Sequence, residues 1–407
     1  MSDPSELIWD WGEFEASKPQ RFGLVDESPR DGLQSPSIRK RPSNEEIIEH
    51  ITLMDKLGIE YVNVGLPVTP KAVNDIKFIV KEMKTRGLKI KPQVACRTVL
   101  RDIEPVPGII EETGVPIEVC TFIGSSAIRL YAEDWQISDL AKLSEQAVAF
   151  CVKHGLSVKF VTEDTIRSHP DHLRILLRAA LMAGTNGLIV CDTVGGATPT
   201  KVRGLINFTK TVLKANGLLT SVTIDWHGHN DLGQGLECAF VAAQCGVTNV
   251  HGTVLGIGER AGNVPMELLL VNSNYRGHSD RNLDSLANYV RLGASMTNLP
   301  IPVNYPCFGA DVLTTQTGVH AAAQLKAREK GESWLEDAVY SAVPAKTIGR
   351  HHESAVGPMS GKANVIWFCH IHGFPLPSPA QMDKVLNHAR ETGRILPPQE
   401  VIQILFH

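Results

Sequence analysis

The sequence predicts an α/β protein, a TIM (β/α)8 barrel followed by a smaller, mainly helical C-terminal accessory region. Three observations predict it. Eight short, β-rich apolar runs recur between residues 22 and 256. Amphipathic helical segments separate them, and no GxGxxG turn follows the first run to favour an open, doubly wound sheet. The runs are nearly continuous in apolar character, which suits parallel strands covered on both faces.

In chain order the runs read FGLVDES (22–28), EYVNVGL (60–66), IKPQVACR (90–97) and IEVCTFIG (117–124). SVKFVTED (157–164), GLIVCDTV (187–194), VTIDWHGH (222–229) and NVHGTVLG (249–256) follow. Between them lie segments with helical periodicity such as NEEIIEHITLMDKLG, DLAKLSEQAVAFCVKHG and PDHLRILLRAALMAG, each closing near a glycine that can terminate a helix. The expected organisation is an N-terminal extension over 1–21, a barrel over 22–300 and accessory subdomains over 301–407.

Bulk properties narrow the function classes. A hydrophobic content of 43% with 21% charged residues is that of a soluble globular protein, and a net charge of -4 gives no electrostatic ground for nucleic acid or anionic membrane as partner. The acidic N-terminus lacks the basic-then-apolar order of a secretion signal, and no apolar run approaches the roughly 20 residues that span a bilayer. Eight cysteines without a CxxC pair point to buried thiols in a reduced, cytoplasmic protein.

Barrel active sites are built where the strands end. DESPRDG follows the first run, TED ends the fifth, DT the sixth and HGH the seventh, and GERAGN follows the eighth. Aspartate, glutamate, histidine and asparagine thus converge on one rim. Alternate strand residues share a face, so His227 and His229 point the same way, an arrangement suited to holding a transition metal.

These segments resemble the DRE-TIM metallolyase superfamily, which includes isopropylmalate, citramalate and homocitrate synthases and the hydroxymethylglutaryl-CoA lyases. The most specific part is HGHNDLGQGLECAFVAAQCGVTNVHGTVLGIGERAGN, close to the synthase pattern; FVTEDTIRSHPDHL resembles the synthases' fifth-strand segment. DESPRDGLQ is nearer the lyase spelling than the synthase DTTLRDGEQ. Lyases carry a cysteine-bearing loop after strand eight and stop soon after the barrel. Here GIGERAGN stands in that place and about a hundred residues follow, with TGVHAAAQLKA and VGPMSGKANV resembling synthase segments. The resemblance therefore favours the synthase branch.

That branch implies a metal-dependent Claisen-type condensation of acetyl-CoA, or a related acyl-CoA, with a 2-oxo acid. It implies a divalent metal ion (Mn, Zn, Co or Mg) on Asp31, His227 and His229, with Asn263 as a further or water-mediated ligand. By the same resemblance Arg30 stabilises the oxyanion, Glu163 is catalytic, and Gln34 and Thr193 line the oxo-acid pocket. His320, with Tyr340 as partner, moves a proton, supplied by a neighbouring subunit in a domain-swapped homodimer. Glu259 and Arg260 are read as a structural ion pair.

Three departures bear on the substrate. The synthase second-strand EVGFP is NVGLP here, so Asn63 replaces a carboxylate; Val161 replaces a polar residue; and Arg129 stands where isopropylmalate synthases have a histidine and homocitrate synthases an arginine. A cation at that end of the pocket favours an acceptor with an anionic tail over a branched monoacid. Two other readings compete: lyase-like cleavage of a 3-hydroxyacyl-CoA, and a non-catalytic barrel that serves as a binding protein.

Overall fold

The computed structural model describes residues 7–9, 20–38 and 40–407. Of the extension expected over 1–21, all but residues 7–9, 20 and 21 lies outside the described residues. The described chain divides after Pro300 into a barrel unit and a C-terminal unit, Ile301–His407.

The barrel unit closes eight parallel strands in sequence order. They are β1 Gly23–Asp26, β2 Tyr61–Asn63, β3 Lys91–Arg97, β4 Glu118–Gly124, β5 Val158–Glu163, β6 Gly187–Asp192, β7 Thr223–Gly228 and β8 Asn249–Gly252. Closure comes from β1 against β8, with Leu24 opposite Val250 and Asp26 opposite Gly252. Helices such as Asn44–Lys56, Ile137–Lys153 and Pro170–Met182 cover the outside, each over a segment whose periodicity predicted it. The first begins at a capping box, where Ser43 and Glu46 satisfy each other's backbone amides.

Every predicted strand is present, each a little shorter than its apolar run, and three are shorter by three or four residues. β1 stops at Asp26 because the Glu27 carbonyl turns inward and accepts the amides of Arg30, Asp31 and Gly32. β2 stops at Asn63, whose side chain accepts from the Gly65 amide at 3.3 Å, where the backbone has φ 137°. β8 gives way at Thr253 to a tight turn, Val254–Gly256, with Leu255 left-handed at φ 55°.

Alternate residues of each strand face the barrel axis. One interior layer is charged: Lys159 donates to Asp225 at 2.6 Å and lies 3.4 Å from Glu118, while Asn249 donates to Asp225 at 2.8 Å. Two residues further along the same strands come Cys120, Val161, His227 and His251, and then Phe122, Glu163 and His229. The charged layer is the floor on which the cavity stands.

In the C-terminal unit, helices Lys362–Ile371, Pro379–Thr392 and Pro398–Phe406 bury Val365, Phe368, Val385, Leu386 and Leu405 in a core of their own. Helix Gly318–Glu329 carries His320. Among the described residues no helix is long and apolar enough to cross a membrane.

Candidate active site

The turn after β1 is wound on one carbonyl. Because Glu27 O holds three successive amides, Arg30 and Asp31 are fixed at the rim, and Asp31 opens the short helical turn Gly32–Gln34. Asp31 is 4% exposed, and its Oδ1 accepts from Arg30 at 3.1 Å. Its Oδ2 is buried with no hydrogen-bond partner and faces His227 Nε2 at 3.5 Å and His229 Nε2 at 3.7 Å.

One carboxylate and two imidazoles converging on an orphaned oxygen fit a divalent cation. Bonds of roughly 2.0–2.2 Å from one ion give donor separations of the order seen here. The protonation states fit as well. Burial pushes the His227 imidazole down to about 3 and lowers His229 too, so both are neutral donors at pH 7. Burial would raise the Asp31 carboxyl, but Arg30 and then His227 outweigh it and hold it below its ordinary value. Asn263 is 1% exposed; its backbone bridges to His229 and its amide donates to the Ile257 carbonyl at 3.1 Å. A side chain at Gly258 would meet that amide at 2.3 Å, so glycine is needed there.

A second set was not read from the sequence. Glu27, 2% exposed, accepts from Arg30 Nε at 3.0 Å and Nη2 at 2.6 Å through one oxygen, while its other oxygen lies 2.9 Å from His251 Nδ1. Although burial opposes it, Arg30 and then His251 hold the Glu27 carboxyl far below its ordinary range. Burial would lower His251, but the neighbouring Asp225 and Glu27 carboxylates raise it instead. Glu27, His227 and His251 also approach one another closely enough to form a second potential ligand group sharing His227.

These residues line a cavity of about 250 Å³. Its polar end also holds Gln34, Glu163 and Thr193, whose hydroxyl accepts from the Asp164 amide at 2.8 Å. Its remaining lining is apolar, made by Leu66, Ala95, Phe122, Val161 and Ile189 with the Cys120 and Cys191 thiols, which burial keeps protonated.

Arg129 is placed differently from its sequence reading. It does not line the cavity, and its guanidinium is taken by Glu163 at 2.9 Å and Glu133 at 3.0 Å, beside the Trp135 ring. Burial still raises the Glu163 carboxyl above its ordinary value, against the opposing effect of Arg129. Arg260 is also re-partnered. Its closest carboxylate is Asp231 at 2.9 Å, with Glu259 at 3.8 Å, so the tie runs between the β7 and β8 loops instead of within GERAGN. His320 and Tyr340 belong to the C-terminal unit, where their rings stack at 4.0 Å.

A family model described as HMGL-like matches residues 21–292. A homocitrate synthase of Saccharolobus solfataricus is 29% identical over 94% of this chain and 83% of its own length. A 2-isopropylmalate synthase of Sediminispirochaeta smaragdinae is 29% identical over 84% of this chain and 66% of its own length. Among solved structures, an HMG-CoA lyase of Bacillus subtilis superposes with a TM-score of 0.57 at 20% identity, covering 70% of this chain and 96% of that one.

Proposed function

The chain belongs to the HMGL-like family, and from that premise we propose that it condenses an acyl-CoA, acetyl-CoA in the simplest case, with a 2-oxo acid. The products are a 2-alkylmalate and free CoA. The observation that carries the chemistry is the orphaned Asp31 Oδ2 facing two neutral imidazoles at the cavity mouth. What favours condensation over cleavage is the extent of the likeness to synthases, which reaches 94% of the chain and so enters the C-terminal unit.

Asp31, His227 and His229 would hold a divalent cation, which supplies Lewis acidity to the acceptor's carbonyl. The donor methyl loses a proton, the resulting carbon forms a bond to C2 of the oxo acid, and the ketone oxygen gains the charge and then a proton. Water cleaves the thioester, releasing CoA as thiol. Arg30, a fixed cation at the mouth, stabilises the oxyanion that develops. Gln34 and Thr193 orient the acceptor's carboxylate end, and Glu163, whose raised carboxyl lies among them, exchanges a proton there. In the C-terminal unit the His320–Tyr340 pair is assigned the donor's proton, and the working enzyme is a cytoplasmic homodimer.

The geometry bears on the acceptor. With Arg129 bound by two carboxylates and the cavity's other arginines, Arg30 and Arg260, held by Glu27 and Asp231, an acid with an uncharged tail fits better than a diacid. The test is thiol release from acetyl-CoA against 2-oxoisovalerate, pyruvate, oxaloacetate and 2-oxoglutarate, with and without EDTA. Chelator-sensitive release with a monoacid is expected. Release with no acid, together with cleavage of a 3-hydroxyacyl-CoA, would replace condensation by the lyase reaction.

A further inference from the structure

Two departures in the sequence lie face to face in the structure. β1 and β2 pair in parallel with Val25 opposite Tyr61 and Asp26 opposite Val62, so the next step sets Glu27 opposite Asn63. Both are buried at the mouth, at 2% and 1% exposed, and both line the cavity. At the first position the synthase loop DTTLRDGEQ has threonine where this chain has glutamate. At the second the synthase EVGFP has glutamate where this chain has asparagine. One carboxylate is gained and one given up across a single rung of the barrel.

The gained carboxylate has a definite task. Arg30 is a largely buried cation, its side chain 18% exposed. One edge of its guanidinium is gripped by Glu27 through two donors, and its third nitrogen reaches Asp31 Oδ1. Asp31 has its other oxygen turned to His227 and His229, so the two-donor grip on Arg30 comes from Glu27. His251 fixes Glu27 in turn, and the Asp225–Lys159 pair of the floor lies behind His251, at 3.8 Å.

We infer that the carboxylate fixing Arg30 has been relocated from β2 to β1 in this chain, and that Glu27 is a positioning residue which aims Arg30 at the developing oxyanion. The inference rests on the condensation proposed above for its catalytic consequence, but not for its structural one. Asn63 is the other half of the exchange: with the carboxylate on β1, the β2 position takes a neutral amide, because two carboxylates in one buried volume would repel each other.

The test exchanges the two residues back. Glu27→Thr is expected to lower kcat about 100-fold, the scale of losing an aligned oxyanion donor, with KM for the 2-oxo acid within about threefold because ground-state binding rests on other groups. Glu27→Thr combined with Asn63→Glu is expected to recover kcat to within about tenfold of the parent. A purely structural role for Glu27 gives no reason for rescue from the neighbouring strand.

A second arm reads the metal-free protein without reference to activity. In urea denaturation Glu27→Thr lowers the midpoint, and Arg30→Met in the Glu27→Thr background brings it part of the way back, because the stranded buried cation is gone. The inference is overturned if the double exchange is no better than Glu27→Thr alone, or if the midpoint effects of Arg30→Met and Glu27→Thr simply add. If the parent condenses no acid while the midpoints couple as described, it is the condensation reading that fails, and the anchoring of Arg30 by Glu27 stands.

Discussion

Replacing Lys159 by methionine tests whether the cavity stands on a charged floor. The ammonium is 4% exposed, donates to Asp225 at 2.6 Å, lies 3.4 Å from Glu118 and sits 4.9 Å above the Tyr61 ring. At an effective dielectric of about 20, a pair at the Asp225 distance attracts by roughly 6 kcal/mol before desolvation is subtracted. Methionine fills much of the volume but leaves Asp225, fully buried, with Asn249 as its remaining close donor. Glu118 is better placed, retaining Gln93 at 2.6 Å and Ser157 at 2.9 Å. Breaking one side of such a buried pair costs about 3–5 kcal/mol. In a unit of this size that corresponds to a melting point lower by roughly 5–9 °C. The assay is thermal and urea denaturation of the full chain at pH 7, following the barrel's transition separately from that of the C-terminal unit. Adding Asp225→Asn to Lys159→Met removes the stranded charge and should return part of the loss. A cost below about 1 kcal/mol for Lys159→Met, or strict additivity in the double variant, would refute the reasoning.

Three further outcomes follow from the same geometry. Asp31→Asn and His229→Gln should each weaken Mn or Zn binding at least about 100-fold by isothermal titration and remove EDTA-sensitive turnover, since each takes one of three donors from the group. His50, fully buried and stacked on Tyr289 at 4.4 Å, is pushed down to about 3 by burial. Its folded value lies below its unfolded one, so the unfolded chain binds the extra proton. The stability it contributes is present above pH 6.5 and is lost as pH falls towards 3. His50→Leu should therefore lose about 2 kcal/mol less than the parent between pH 7 and pH 5, read from urea midpoints at each pH. Gly262 has φ +83°, and a Cβ there would meet the Gly256 carbonyl oxygen at 1.9 Å. Gly262→Ala should cost at least about 2 kcal/mol and disturb Asn263, whose amide donates to that same carbonyl, visible as a lowered melting point.

Strand positions were legible because burial on both faces writes a strand as an unbroken apolar run, and all eight runs became strands. Their ends were not, because local contacts that an apolar pattern does not carry set them: three amides on the Glu27 carbonyl for β1, the Asn63 side chain for β2. The rim residues Asp31, His227 and His229 could be found in the sequence because polar residues ending apolar runs have one place to go in a barrel. Arg129 illustrates the opposite case. Its position in the sequence is that of a pocket residue, yet which carboxylate it meets depends on the short helix Ala127–Ala132 setting it within 2.9 Å of Glu163.

Glu27 and His251 were missed for a reason that parity could have removed. His251 lies two residues after Asn249, and His227 two after Asp225, so both histidines face inward from adjacent strands with a polar residue beneath each. A lone histidine in an apolar run reads as core until its neighbour across the sheet is known, and that neighbour is Glu27, 224 residues away in sequence. The pairing of β1 with β8 places Val25 opposite His251, so Glu27 leaves β1 just beyond that rung and turns its carboxylate back to the imidazole. Barrel closure is thus what joins the first loop to the last strand. An arginine aimed by such a contact depends on closure as strictly as the core does, so loosening the β1–β8 seam, for example by Leu24→Ala, should lower turnover by more than its effect on the amount of folded protein.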